Sequence, residues 1–408
     1  MKIRTRFVLP ASLTLIVIVA LGVLLPGGAA HAQLSCETPP EEMTSSLLNR
    51  LQDWFTAPDG TQFWTTDFCQ FEPGIWDQIA HGGPPPDGIR PIDDPGFESV
   101  EAASEWLQPQ SPVIALQVGD EARAYPLAVL TRHEIVNDEI DGIPVAVTFC
   151  PLCNSAIVFD RRVDGETLRF GVSGFLRNSD LIMWDDLTQS WWQQFTGQGI
   201  VGTYTGTQLT AMPSQVVGFG AFAEQYPDGS VISLEGLRFA PDTYGTNPYV
   251  GYDSGDPYGG FFPREQLDTR LPSTSRVLAG LVNGQPIAYP FETLAEMRVI
   301  NDTVGERAVV GFWQPGATSA LDRSDINSSR DVGMAALFNR ELDGEVLTFS
   351  VDDEGVIRDD QTGSVWNIFG EAIEGELAGE SLRQEMAAPH FWFAWAAFQP
   401  ETLIYGME

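Results

Sequence analysis

Lysine is almost absent: Lys2 is the only one among 408 residues. Everything downstream of it lacks the amine that Schiff-base chemistry, a pyridoxal phosphate anchor or a Walker-type phosphate loop requires. Positive charge of any kind is scarce, with 22 Lys plus Arg against 56 Asp plus Glu and a formal net charge of −34. Such a chain repels phosphate backbones and anionic headgroups, which excludes nucleic acid as a partner. After Leu25 no uninterrupted apolar run approaches spanning length, so no membrane span is expected in the rest. Cysteine and histidine number only four each, so any thiol chemistry or soft-metal site rests on a few residues. Apolar and aromatic side chains are plentiful, at 43% and 11%, which supplies packed cores and excludes a disordered or fibrous protein.

The one long apolar run, Phe7 to Leu25, follows Lys2, Arg4 and Arg6 and precedes the small-x-small triplet Ala30-His31-Ala32. This pattern predicts a signal peptide over residues 1–32 and a secreted or extracytoplasmic protein, in the periplasm or cell envelope. An uncleaved anchor is the other reading, and Pro10, Gly22 and the cleavage triplet count against it. Without that segment the only basic residues are 19 arginines, against all 56 acids.

Two stretches resemble each other at a constant offset of 164: QVGDEARAYPLAVLTRHEIVND from Gln117 and LVNGQPIAYPFETLAEMRVIND from Leu281. Tyr125-Pro126 falls on Tyr289-Pro290, and Asn137-Asp138 falls on Asn301-Asp302. Further on, Asp185, Thr188, Ser190 and Trp192 match Asp359, Thr362, Ser364 and Trp366. Within each unit, runs rich in Val, Ile and Phe alternate with Gly-Asp, Asn-Gly and Asp-Gly turn signals. The expected fold is mainly β with short helices (α+β), a tandem duplication of a β-rich domain arranged about a pseudo-two-fold axis. Helices are expected at Leu127 to Ile135, Ser214 to Gln225 and Pro389 to Phe398. The expected layout is a loop-rich N-terminal arm at 33–108, a first repeat at 109–233, an inter-repeat loop at 234–275 and a second, degenerate repeat at 276–408. The loop's part from Thr243, TYGTNPYVGYDSGDPYGG, is read as either functional or a covering.

In an oxidising compartment the cysteine count predicts that Cys36 and Cys69 staple the arm. Cys150-Pro151-Leu152-Cys153 differs, because it follows the strand-like Val145 to Phe149 and precedes the strand-like Ala156 to Phe159. A CxxC in a turn between strands suits metal ligation as well as redox exchange. A zinc ribbon would need a second CxxC, and c-type haem would need a His at Asn154, so both are excluded. A metal on the two sulfurs needs a further ligand, and His133 is the candidate, with copper(I) or zinc the matching ions. His390, in an aromatic run, reads as a core or interface residue. The repeat adds an internal comparison. Cys150, Cys153 and His133 fall on Gln314, Ala317 and Met297, and the stretch Ser173 to Asp180, read as a loop bearing Arg177 and Asp180, has almost no counterpart. Residues lost together mark a site, whereas shared ones form the fold.

The segments HEIVND at 133–138, TFCPLC at 148–153, GVSGFLRNSDL at 171–181 and FWFAWAAFQPET near the C-terminus resemble the domain of unknown function 3179 family of bacteria and archaea, from about Gly82 to Tyr405. The family has no established activity to carry over. Some members place selenocysteine at a cysteine of the CPLC motif, which by resemblance implies redox or soft-metal chemistry at Cys150 or Cys153. Asn154 departs from the pattern, in which Gly is common at that position.

Two readings follow. The first is an exported protein with a redox-active or copper- or zinc-binding site on Cys150 and Cys153, with His133 as ligand or proton partner and Asp180 and Arg177 lining it. Its partner is a small molecule, a metal ion or a protein thiol. The second is a non-catalytic envelope or cell-surface binding protein in which the CPLC pair is a static disulfide and Trp184, Trp191 and Trp192 recognise the ligand. A glycosidase using Asp185 and Asp186 is the weakest enzyme reading, because adjacent carboxylates are not an opposed acid and base.

Overall fold

The strands form where the apolar runs are, and their ends fall at the turn signals. In the computed structural model, which describes Trp64 and residues 66–407, Pro112–Val118 and Glu121–Pro126 pair across Gly119-Asp120. Ile135–Ile140 and Ile143–Cys150 pair across Asp141-Gly142. The protein is mainly β, with five short α-helices among the described residues. The expected signal peptide lies outside the described residues.

Three five-stranded sheets occupy the first half. One runs Gln215–Gly218, Pro112–Val118, Glu121–Pro126, Ser230–Ile232, Phe97–Ser99. Another has Ile143–Cys150 at its centre, between Ile135–Ile140 and Ser155–Asp160. The third is built on the hairpin Phe170–Arg177 and Asp180–Asp185. The same element order recurs later: Arg276–Val282, Gln285–Pro290, the helix Phe291–Met297, Val299–Val304 and Arg307–Gln314 follow one another as their counterparts do.

Particular contacts recur with it. Tyr125 donates to Asp138 at 2.6 Å and Tyr289 to Asp302 at 2.9 Å. The Trp192 indole donates to Asp185 at 2.8 Å and Trp366 to Asp359 at 3.0 Å. These residues are fold-forming, as their presence in both stretches implied. Trp192→Phe would leave the fully buried Asp185 short of a donor, and we expect a loss of about 1–3 kcal/mol. Urea unfolding at neutral pH measures it.

Two of the expected helices begin later than the sequence indicates. Residues 215–218 and 387–391 are strands, and helix is confined to Phe219–Gln225 and Trp392–Phe398. The helical periodicity of these segments is overridden by pairing, since Gln215–Gly218 lies against Pro112–Ala115 and Ala387–Phe391 against Arg276–Gly280. The stretch Ser173 to Asp180 is a hairpin and not a loop. Its two-residue turn, Asn178-Ser179, has positive φ at both positions (51° and 67°), the geometry whose twist matches paired strands.

The cores join the two halves. The largest cluster combines Val145, Val147 and Phe149 with Val277, Phe391 and Trp392, and a second combines Val113, Val217 and Phe222 with Val310, Phe312 and Trp366. The described part of the arm packs Trp64, Phe68 and Trp76 against Phe175, Trp184 and Trp191. It also adds a strand to each of the three five-stranded sheets: Ile79–His81, Ile92–Asp93 and Phe97–Ser99. Cys69 is disulfide-bonded, and Cys36, its expected partner, lies outside the described residues.

Candidate functional site

Three elements bring the site together. The strand Ile143–Cys150 ends at the first thiol, and Cys150 pairs with Ser155 across the turn Pro151–Asn154. Asn154 closes that turn at φ 49°, a conformation glycine adopts freely and asparagine tolerates. The hairpin turn Asn178-Ser179 then delivers Asp180, and the Ser179 carbonyl accepts a hydrogen bond from the Cys150 thiol at 3.7 Å. Third, the helix Leu127–His133 ends at Glu134, also at positive φ (59°). Its N–H donates to Leu130 and its carbonyl accepts from Phe149, both at 2.8 Å.

Cys150, Cys153 and Asp180 are buried, and one ligand atom from each lies within 4.8 Å of the others. Both cysteines are free thiols, so the disulfide of the binding-protein reading is not formed in this structure. One Asp180 oxygen accepts from the Gln193 amide at 2.6 Å and from the Phe195 N–H at 2.9 Å. The other oxygen is buried without a hydrogen-bond partner, as are the Ser179 hydroxyl and the Tyr252 phenol. Burial pushes the Asp180 carboxyl up to about 7. Burial and the Asp180 charge push Glu134 up to about 8. Both thiols are raised as well, by burial first and by the neighbouring acids. The cluster thus collects four groups that each become anionic on losing a proton.

His133 and Arg177 are placed elsewhere. The His133 ring meets the Arg90 carbonyl through Nδ1 at 2.6 Å and the Tyr244 hydroxyl through Nε2 at 2.9 Å, so both nitrogens are occupied. Arg177 turns to the arm, donating to Gln78 at 2.8 Å and pairing with Glu72 at 3.0 Å. Trp184, Trp191 and Trp192 are buried, and Asp185 is held by Thr188 and Trp192.

Two contributors were not named from the sequence. Glu134 stands directly after His133, and its signal was an acidic residue at a helix end where the chain turns left-handed, a position suited to Gly or Asn. Its counterpart at the offset of 164 is Arg298, whose guanidinium stacks on Trp313 at 4.6 Å. Tyr252, on the Tyr/Gly/Asp-rich loop, belongs to the same buried cluster as Cys150 and Cys153, and burial first and the two thiols next raise its pKa.

His390, read as a core or interface residue, is 3% exposed, and its ring lies 4.6 Å from that of Phe195 and stacks on Trp395 at 5.7 Å. Burial alone lowers its pKa to about 3. An unfolded histidine takes a proton below about pH 6.5, whereas this one refuses it, so stability falls as the pH drops below that value. We expect His390 to cost about 2 kcal/mol of stability by about pH 5 relative to neutrality. Denaturant unfolding of the wild type and His390→Phe at both pH values measures it, and an equal acid loss in the two proteins would refute the assignment.

The fold and the site define a mainly β protein with a buried dithiol–carboxylate cluster at the end of a central strand. The sequence profile of a family described as "Protein of unknown function (DUF3179)" matches residues 86–402, and the chain belongs to that family. No curated protein and no solved structure matches it. Among the described residues no helix is long and apolar enough to cross a membrane.

Proposed function

We propose that this is an extracytoplasmic zinc-site protein in which Cys150, Cys153 and Asp180 hold the metal. The carrying observation is the convergence of two thiols and a carboxylate oxygen within 4.8 Å, all three residues buried. A tetrahedral zinc with bonds of about 2.0–2.3 Å separates its ligand atoms by roughly 3.3–3.8 Å, so a small contraction completes the set. The unpartnered Asp180 oxygen and the clustering of acids support a bound cation, which would relieve both. A hard carboxylate beside two thiolates favours zinc over copper(I). Three protein ligands leave a fourth position for water or a substrate.

Dithiol exchange draws less support. It needs an acidified, reachable thiolate, and here burial and neighbouring acids raise both thiols. A tandem duplication accounts for the repeated element order and contacts, with the second copy having lost the cysteines.

Elemental analysis of tag-free protein tests the reading, with Cys150→Ser, Cys153→Ser, Asp180→Asn and His133→Gln alongside. The expected result is about one zinc per chain, lost in both serine variants, weakened in Asp180→Asn and retained in His133→Gln. Cobalt substitution should give a thiolate charge-transfer band in the wild type and His133→Gln, a weaker one in Asp180→Asn and none in either serine variant. Metal-free protein whose cysteines cycle between dithiol and disulfide would overturn the reading in favour of redox exchange.

A further inference from the structure

Beside the dithiol site lies a separate cavity of about 370 Å³, within the range of small-molecule pockets. Its walls come from both halves of the chain: Phe195 and Met212 from the first, Ala279, Glu385, His390 and Trp395 from the second. The cavity does not reach the thiols, but the Phe195 N–H donates to Asp180 and the Phe391 N–H to the Cys153 carbonyl.

Its chemistry is mostly apolar. The one charged residue in its lining, Glu385, has its carboxylate held by Arg307 at 3.0 Å and Arg383 at 3.1 Å, and neither arginine lines the cavity. His390 is the deep polar group, nine-tenths or more buried and flanked by the rings of Phe195 and Trp395. Its Nδ1 is sealed in without a partner, which leaves Nε2 as the nitrogen a ligand can reach. Burial keeps the imidazole neutral. A neutral ring nitrogen has hydrogen-bonding capacity but no charge with which to attract an anion. Aromatic walls favour a flat apolar body.

We propose that this cavity binds a small uncharged aromatic hydroxy compound, its ring against Phe195 and Trp395 and its hydroxyl bonded to the His390 imidazole. The inference stands apart from the zinc reading, because none of its lining residues is a proposed metal ligand.

The test uses the full chain, with phenol as probe and toluene and benzoate as comparisons, read by calorimetry and ligand-observed NMR. Phenol should bind saturably at one site and benzoate more weakly. His390→Phe, which keeps a ring but removes the nitrogens, should weaken phenol by about five- to tenfold and leave toluene unchanged. Met212→Trp, which fills the cavity from a half-buried position, should abolish binding of both. Should His390→Phe fold poorly, the imidazole ¹⁵N resonances of the wild type decide, since Nε2 must shift on phenol addition. Unsaturable phenol binding, a preference for benzoate, unchanged phenol affinity in His390→Phe or a static Nε2 resonance would each overturn the proposal.

Discussion

Removing zinc should destabilise the protein, and the difference between the loaded and stripped forms should widen as the pH rises. A ligand that binds only the native state stabilises it by about 4 kcal/mol when present at roughly a thousand times its dissociation constant. The pH dependence has opposite signs in the two forms. In the metal-free protein Asp180 and Glu134 keep their protons up to about 7 and about 8. The unfolded chain releases them near pH 4. Between those values the native state holds more protons than the unfolded state, so stability falls as the pH rises through this window, and it levels off above it. Zinc requires the thiolates and the carboxylate, so its affinity grows over the same range. Thermal unfolding with and without a chelator, from pH 5 to pH 8, measures both slopes. Asp180→Asn should flatten the metal-free slope and shrink the zinc effect. A gap between loaded and stripped protein that stays constant or narrows with pH would sink the zinc assignment.

The legibility of this fold in its sequence follows the range of the forces involved. Strand pairs with tight turns, such as Ile135–Ile140 with Ile143–Cys150, could be read because their pattern and turn lie within a few residues of each other. The strands at 215–218 and 387–391 could not, because each pairs with a partner a hundred residues away or more. At the site, Cys150, Cys153 and Asp180 were legible together through the comparison of the two stretches. His133 and Arg177 shared the same sequence signal, but their side chains meet Tyr244 and Glu72, which only the folded chain brings near. Glu134 shows the reverse case. Its neighbour His133 carried the visible chemistry, and only the folded chain buries the acid within reach of the Asp180 charge.

Asp253→Ala should be among the most damaging single substitutions, and its second effect bears on the site. The Asp253 carboxylate is fully buried, paired with Arg276 at 3.0 Å and Arg330 at 2.9 Å, and also accepts from Ser319. Arg276 is itself 8% exposed, so losing the carboxylate leaves a guanidinium in the interior without its ion-pair partner, bonded to Ser319 and lying over Phe391, with the Asp322 charge felt only at longer range. Breaking a buried pair from one side costs about 3–5 kcal/mol, much of it the unpaired charge that remains. Replacing both partners by apolar residues, as in Asp253→Leu with Arg276→Met, should cost less than the single change. Asp253 directly follows Tyr252, so the same anchor holds the loop whose Tyr252 packs in one buried cluster with Cys150 and Cys153. If the anchor loses stability, the population of locally open molecules rises, and thiol labelling that depends on opening rises with it. A maleimide should therefore label the metal-free Asp253→Ala protein at least about tenfold faster than wild type under conditions where both remain folded. Equal labelling rates with a large loss of stability would mean that the anchor supports the fold without closing the site.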